Sequence, residues 1–309
     1  MRILLTGASG FLGSSLARFW AKRGHELLLL ARPSTRIDRL SDLPNWVRVV
    51  RASTSEEITA FVLDSLPDAI VHTACSYGRL GESPLDLMDA NIRLGLVLMQ
   101  AVLEREHLEG KPPTLFMNTG TVLEPGVSLY ALSKTQFSAW GAALAASSPQ
   151  RLQFIEIRLQ QMYGPDDDGS KFITHVVDSC RQNKPRLALT AGEQLRDFIH
   201  IDDVVQAYDH ILQQRSKFAA SDAIDVGSGN AITMRSFVEM AKQFALADTV
   251  LDFGAVPYRA NEAMLCVADT TRLRKLGWVP TVSLTEGLRT LINPECQPHP
   301  ASQHAHKIL

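Results

Sequence analysis

Long hydrophobic runs are missing from this chain. No apolar stretch approaches the roughly 18 residues that a bilayer-crossing helix needs, which argues against a membrane protein. Cysteine is scarce: Cys75, Cys180, Cys266 and Cys296 are the four in 309 residues, and none are close neighbours in sequence. That spacing suits neither a disulfide framework nor a Cys/His metal site, so reduced thiols and no bound metal are expected. A block of one charge is lacking too. Lys and Arg number 31 against 33 Asp and Glu, for a net charge of −2, so nucleic acid is not an expected partner. Repeats and low-complexity segments are likewise missing. The first residues, MRILLTGASG, enter a strand-and-turn pattern without the layout of a signal peptide, and a cytoplasmic location is expected. What is left is an ordinary soluble composition, 45% apolar and 21% charged. The chain is long enough for one large domain or two modest ones.

The N-terminus carries the first positive signal. Arg2–Leu5 reads as a short apolar strand, followed at once by Thr6-Gly7-Ala8-Ser9-Gly10-Phe11-Leu12-Gly13. A helical pattern runs from Ser14 to Lys22 on Leu16, Phe19 and Trp20, stops at Arg23-Gly24-His25, and gives way to a strand at Leu27–Leu30. In such a unit one glycine permits the tight turn, one lets backbone approach a pyrophosphate, and one allows close helix–strand packing. The phosphates then sit on the helix's N-terminal amides. The second strand ends in Leu30-Ala31-Arg32, with Arg36 beyond it and no acid before Asp38. An acid there would hold the ribose 2′-hydroxyl of NAD, whereas Arg32 suits the 2′-phosphate of NADP. NADP is therefore expected over NAD, the alternative being Arg32 as a solvated surface charge. Further strands are read at Val47–Val50, Asp68–Cys75 and Phe154–Arg158, with a helix from Asp89 to about Arg105. Alternating strands and helices predict an α/β fold built on a Rossmann-type, doubly wound parallel sheet.

A second signal lies in Leu115–Lys134. A short strand at Leu115–Met117 leads through Thr119 and Thr121 into a loop, and Tyr130-Ala-Leu-Ser-Lys134 then opens a helix. Residues four apart on a helix share a face, so Tyr130 and Lys134 are expected to point a phenol and an ammonium into one cleft. A nearby cation lowers a phenol's pKa, which would make Tyr130 an acid/base group. An ordinary amphipathic helix is the competing reading. His72, alone on a strand, is expected to serve packing and hydrogen bonding. Later helices are read at Lys171–Arg181, up to Leu212, and at Met234–Phe244. Residues 293–309, rich in Pro, His and Gln, read as a flexible tail in which His304 and His306 are not ligands.

Together the runs T-G-A-S-G-F-L-G, D-A-I-V-H-T-A, N-I-R-L-G, Y-A-L-S-K, M-Y-G-P, R-D-F-I-H-I-D-D, V-G-S-G and L-G-W, in this order, resemble the extended short-chain dehydrogenase/reductases, the epimerase/dehydratase family. The resemblance spans about residues 2–290. Within that family the runs A-C-S-Y-G-R, N-T-G-T, D-G-S-K-F, L-R-D-F-I and R-A-N-E-A-M are similar to nucleotide 4-keto-6-deoxysugar 4-reductases, those that make CDP-abequose among them. The resemblance implies a dinucleotide-binding domain at 1–160 with a return segment at about 196–226. A substrate-binding domain is implied at 161–195 and 227–292. It also implies a homodimer and a role in deoxysugar or lipopolysaccharide biosynthesis.

Carried over by residue, Thr119, Tyr130 and Lys134 are the implied catalytic set. Gly7, Ser9, Gly10, Phe11, Leu12, Arg32, Ala74, Tyr130 and Lys134 are implied at the cofactor. Cys75, Tyr77, Arg79, Gln161, Lys171, Phe172, Arg196 and Arg259 are implied at a nucleotide-sugar substrate. Ion pairing of Arg196 with Asp197 or Asp203, and of Arg259 with Glu262, are the alternatives for those two arginines. Gln161 stands where many relatives have Asn, Asn118 where Ser is commoner, and an acid after the third strand is missing from Arg51-Ala-Ser-Thr54. Sugar dehydratases of this family use an Asp-Glu pair directly after the catalytic Thr. Gly120 and Thr121 stand there and cannot exchange protons usefully near pH 7. The expected reaction is thus reduction of a C4 ketone, with a 4-epimerase or a non-catalytic dinucleotide-binding sensor as alternatives.

Overall fold

A computed structural model describes residues 1–105 and 110–293. The expected tail, apart from Asn293, and with it Cys296, lies outside the described residues. Seven parallel strands form the main sheet: β1 (Arg2–Thr6), β2 (Glu26–Ala31), β3 (Arg48–Arg51), β4 (Ala69–His72), β5 (Thr114–Thr119), β6 (Leu152–Leu159) and, returning late in the chain, β10 (Ser221–Val226). Their order is β10-β6-β5-β4-β1-β2-β3. The order reverses between β1 and β4, and the crevice beyond such a reversal is where α/β sheets bind ligands. The four-residue runs Leu27–Leu30 and Ala69–His72 are buried throughout, as strands covered on both faces must be.

Helices α1 (Phe11–Lys22) and α7 (Ile201–Gln213) cover one face, where Leu5, Leu16, Trp20, Met117, Ile157, Val204 and Tyr208 share a core. On the other face α2 (Ser55–Ser65), α4 (Leu94–Glu104) and α5 (Leu129–Ser147) enclose Ile70, Leu98, Phe116, Phe137 and Phe154. A short α3 (Pro84–Met88) precedes α4, joined to it by a wide helical turn at Asp89–Arg93. Thr54 and Glu57 cap the start of α2 reciprocally, a signal visible in the sequence.

A second layer gathers late segments. β9 (Leu195–His200) pairs with β7 (Gln161–Tyr163), β11 (Ala231–Thr233) and β13 (Leu265–Cys266). β8 (Arg186–Leu189) pairs with β12 (Val250–Phe253). Helices α6 (Phe172–Arg181), α8 (Met234–Ala245) and α10 (Leu284–Ile292) pack a separate core on Val176, Phe198, Phe237 and Leu288, and α9 (Thr271–Lys275) lies against β10. The segment expected to return to the large sheet from residue 196 is therefore divided. Its first residues, in β9, belong to the small sheet, and α7 with β10 make the return.

Candidate active site

The carboxyl ends of β1, β4 and β5 frame the site. After β1 the chain turns at Gly7 with φ +70°, a conformation that favours glycine. A Cβ there would also lie 2.6 Å from the Ala74 nitrogen. Gly10 is exposed and precedes the first turn of α1, so the amides of that turn are open to an anion. Phe11 and Leu12 are buried in the core, which leaves only their backbone to face a ligand, while Ser9 is half-buried. This cradle fits a dinucleotide pyrophosphate. Arg32, just past β2, is exposed and makes no ion pair among the described residues. Arg36 pairs with Asp38 at 2.7 Å instead. The turn carrying Arg32 is braced by Arg51, whose Nη1 donates to the carbonyls of Arg32, Pro33 and Thr35.

Beyond β4, Ala74, Cys75, Ser76, Tyr77 and Arg79 form a loop over the N-terminal half of α5. Asn91, fully buried in the wide turn before α4, fixes it. Its Oδ1 accepts from Ser76 N at 2.7 Å, and its Nδ2 donates to Ser76 O and to Ser133 Oγ, both at 2.9 Å. The Tyr77 ring lies 4.9 Å from that of Tyr130, and the Arg79 guanidinium sits 5.0 Å over Tyr77. Asn91 appeared in the sequence reading only as part of a motif, and its bond to the loop is long-range and carries no local signal.

Tyr130 is half-buried and Lys134 is 1% exposed, both on α5, which starts on a Ser128 side chain accepting from Ala131 N at 3.1 Å. The electrostatics depart from the expectation. Burial, then the neighbouring Cys75 thiol and Tyr77 phenol, push the Tyr130 phenol well above its ordinary range, against smaller lowering by Arg79 and Thr121. Lys134 is not among the groups that offset this, and desolvation dominates the shift. Burial also lowers the Lys134 ammonium, opposed by Cys75 and Glu156. Tyr130 thus stands as a held proton. His72 is buried and bonds Thr6 Oγ1 at 2.8 Å. Burial and the Lys134 charge push it down to about 3, so it is a neutral packing residue.

Thr119 Oγ1 is 2.8 Å from the hydroxyl of Tyr208 on α7, and Thr121 Oγ1 accepts from Leu123 N at 3.2 Å.

From the second layer, Lys171 pairs with Asp167 at 2.8 Å and places its ammonium 5.3 Å from the Phe11 ring. This ties the loop at 164–171 to the start of α1. Tyr77 and Tyr130 border one region, their rings 4.9 Å apart. Asp167 had been read only as part of a polar loop. Gln161 is half-buried on β7 and Phe172 is exposed at the start of α6. Arg196 is 6% exposed and paired with Glu262, the partner expected for Arg259. Adjacent strand residues face opposite ways, so Arg196 could not meet Asp197. Asp197 instead accepts from the backbone of Ser228, Gly229 and Ala268, and Asp203 from that of Thr281 and Val282. Arg259 is exposed. Among the described residues no cluster of His, Cys, Asp or Glu could hold a metal, and no helix is long and apolar enough to cross a membrane.

A switch-point cradle on a doubly wound sheet, with a tyrosine and a lysine one helical turn apart beside it, defines a Rossmann-type dinucleotide-binding protein. The chain belongs to the NAD dependent epimerase/dehydratase family, whose model matches residues 3–227. It is similar to the CDP-abequose synthase of Salmonella typhimurium, with 28% identity over 94% of this chain and 97% of that protein. Among solved structures it is similar to the UDP-glucose 4-epimerase of Thermotoga maritima, bound to UDP-glucose, with a TM-score of 0.80 and 20% identity over 94% of this chain and 97% of that one. The UDP-glucose 4-epimerase of Thermus thermophilus in complex with NAD has a TM-score of 0.77 and 23% identity over 94% and 98%.

Proposed function

We propose that the protein is an NADPH-dependent reductase of the C4 ketone of a nucleotide-linked 4-keto-6-deoxyhexose, serving deoxysugar biosynthesis. The observation that carries this is the Tyr130 phenol. It lies on α5 one turn before Lys134 and 4.9 Å from the Tyr77 ring, burial favours its protonated form, and Gly120 and Thr121, directly after Thr119, offer no acid–base pair for elimination. Reduction of a ketone needs a proton donor at the start of the reaction, and a raised pKa keeps Tyr130 in that form.

Gly7, Ser9, Gly10 and the amides of Phe11 and Leu12 would hold the pyrophosphate, Arg32 the 2′-phosphate, and Ala74, Tyr130 and Lys134 the nicotinamide half. The chemistry such a dinucleotide supplies when bound is hydride donation to a carbonyl carbon. Tyr130 donates a hydrogen bond to the ketone oxygen and passes its proton to the developing alkoxide, and the Lys134 ammonium stabilises the phenolate left behind. A hydroxyl has one donor and two acceptor sites, so Thr119 can keep Tyr208 and still face the same oxygen, with Thr121 beside it. Cys75, Tyr77, Arg79, Gln161, Lys171 and Phe172 border the sugar in this reading, and Arg196 and Arg259 are the candidates for the diphosphate. Similarity to a CDP-abequose synthase supports it. Exposed Leu129, Leu132 and Trp140 on α5 support a homodimer through that helix, which sedimentation at two protein concentrations tests.

The second reading is a nucleotide-sugar 4-epimerase using NAD, favoured by the epimerases among the structural neighbours. An NADPH-oxidation assay against CDP-, dTDP-, GDP- and UDP-linked 4-keto-6-deoxysugars separates the two. Stoichiometric NADPH consumption supports the reductase. Sugar interconversion with retained NAD and no net consumption supports the epimerase, and dinucleotide binding without turnover supports a sensor.

A further inference from the structure

The loop between β4 and α3 is exposed at its tip. Leu80 is 91% exposed, and Tyr77 and Arg79 are exposed beside it. Apolar burial does not hold this tip, so its shape comes from polar bonds. Gly78 and Gly81 turn the chain on either side of Arg79-Leu80 with φ of +67° and +85°, a conformation that favours glycine. Glu82 closes the turn so made. Its Oε1 accepts from the Ser76 hydroxyl and its Oε2 from Leu80 N, both at 2.7 Å. The reduction described above assigns Glu82 no part.

Both ends of this clamp are themselves fixed. Ser76 is bound through its backbone to Asn91, which leaves its hydroxyl for Glu82. Glu82 directly precedes Ser83, the cap of α3, where Ser83 and Asp86 bond each other reciprocally. The carboxylate is occupied by a hydroxyl and an amide rather than by Arg79, three residues before it. The Arg79 guanidinium stays over the Tyr77 ring at 5.0 Å. Tyr77 follows Ser76 in the chain, and its ring meets that of Tyr130 at 4.9 Å. An unbroken path of bonds and contacts therefore runs from the α3 cap through Glu82, Ser76 and Tyr77 to the phenol.

We propose that Glu82 is a positioning residue. By bonding Ser76 and Leu80 it holds residues 76–82 in the shape that sets Tyr77 against Tyr130 and Arg79 over Tyr77, so this wall of the site is formed before the nucleotide-sugar arrives. The inference rests on the reading of Tyr130 as proton donor and of Tyr77 and Arg79 as neighbours of the sugar. A loop that samples open shapes must be ordered by the substrate. A wall formed about a tenth of the time would weaken apparent binding about tenfold.

The test compares the full chain as wild type, Glu82→Ala, Glu82→Gln, Ser76→Ala and the double variant Ser76→Ala/Glu82→Ala. Glu82→Ala is expected to raise KM for the nucleotide-linked 4-keto-6-deoxysugar about tenfold, with kcat and NADPH binding unchanged. A glutamine amide can donate to the Ser76 hydroxyl and accept from Leu80 N, so Glu82→Gln is expected to stay near wild type. The double variant is expected to lose less than the sum of the singles, because Ser76 and Glu82 share one bond. An unchanged KM in Glu82→Ala, a glutamine variant as impaired as the alanine one, or additive losses would overturn the proposal. Trypsin supplies a readout without turnover. Cleavage at Arg79–Leu80, followed by mass spectrometry, is expected to be about tenfold faster in Glu82→Ala than in wild type or Glu82→Gln, with other sites cut at the same rate. Equal rates at Arg79–Leu80 would also overturn it. Wild-type protein that reduces no ketone would sink the catalytic reading alone, since the cleavage rates do not depend on it.

Discussion

Lys134 and Arg196 are both buried cations, 1% and 6% exposed, and they sit in different layers of the molecule. Lys134 lies on α5 against the large sheet and makes no ion pair among the described residues. Arg196 lies on β9 of the small sheet and is closed onto Glu262. A closed pair directs its field at its partner, while an open one projects it outward. The difference teaches how to read buried charge: Lys134 has no ion-pair partner among the described residues, and Arg196 would have to exchange Glu262 before it could meet a diphosphate.

Removing the phenol one helical turn from Lys134 is the sharpest way to break the comparison. Tyr130→Phe is expected to cut ketone reduction by about 10²–10⁴-fold, the usual contribution of a positioned acid, while NADPH binding followed by fluorescence is unchanged. Activity within a small factor of wild type would show that Lys134 serves some other group. On the closed side, Glu262→Gln strands Arg196 in a buried position. A loss of about 2 kcal/mol in urea unfolding is expected, below the range for a fully buried pair because Glu262 is part exposed. If the same variant also tightens nucleotide-sugar binding, Arg196 is confirmed as a diphosphate ligand held in reserve; unchanged binding leaves it structural.

How much of this contrast was legible in the sequence follows from how local each signal is. The strand–glycine turn–helix unit and the Tyr130–Lys134 spacing are short-range patterns, and both appear in the structure where they were read. Arg196 and Glu262 are 66 residues apart, and nothing in either segment announces the other. Thr54 and Glu57 form a capping pair that is visible in the sequence at the start of α2. The small strands β7, β11 and β13 are two or three residues long, too short for any period to register. The direction of the Tyr130 shift was misread because the sequence shows the lysine and hides the depth of burial.

Lys134 also makes a testable mark on a third group. Burial, with the Lys134 charge adding to it, holds His72 at about 3, far below the ordinary 6.5. A base depressed in the folded state binds its proton more readily when unfolded. The stability it provides is therefore full above pH 6.5 and falls as pH drops toward 3, with a slope of ~1.4 kcal/mol per pH unit for one proton. Replacing His72 by Asn is expected to flatten urea-midpoint profiles in that window by about one proton's worth. An unchanged slope would place the acid sensitivity elsewhere.

Arg32 is the third kind of cation, exposed and without a partner, so its charge is screened by solvent and salt. A phosphate docked against the turn braced by Arg51 would meet its forked donors, a pairing that an uncharged ribose hydroxyl does not reproduce. Arg32→Ala is therefore expected to weaken NADPH by about tenfold, roughly one charge-assisted hydrogen bond at a surface, and to leave NADH unaffected. Titration of both dinucleotides at low and high salt checks this, because the NADPH advantage should shrink with ionic strength in wild type and be small throughout in the variant. Equal losses for the two cofactors would mean that Arg32 stacks on the adenine or supports the loop. The open and closed cations of the interior would then have no exposed counterpart tuned to a phosphate.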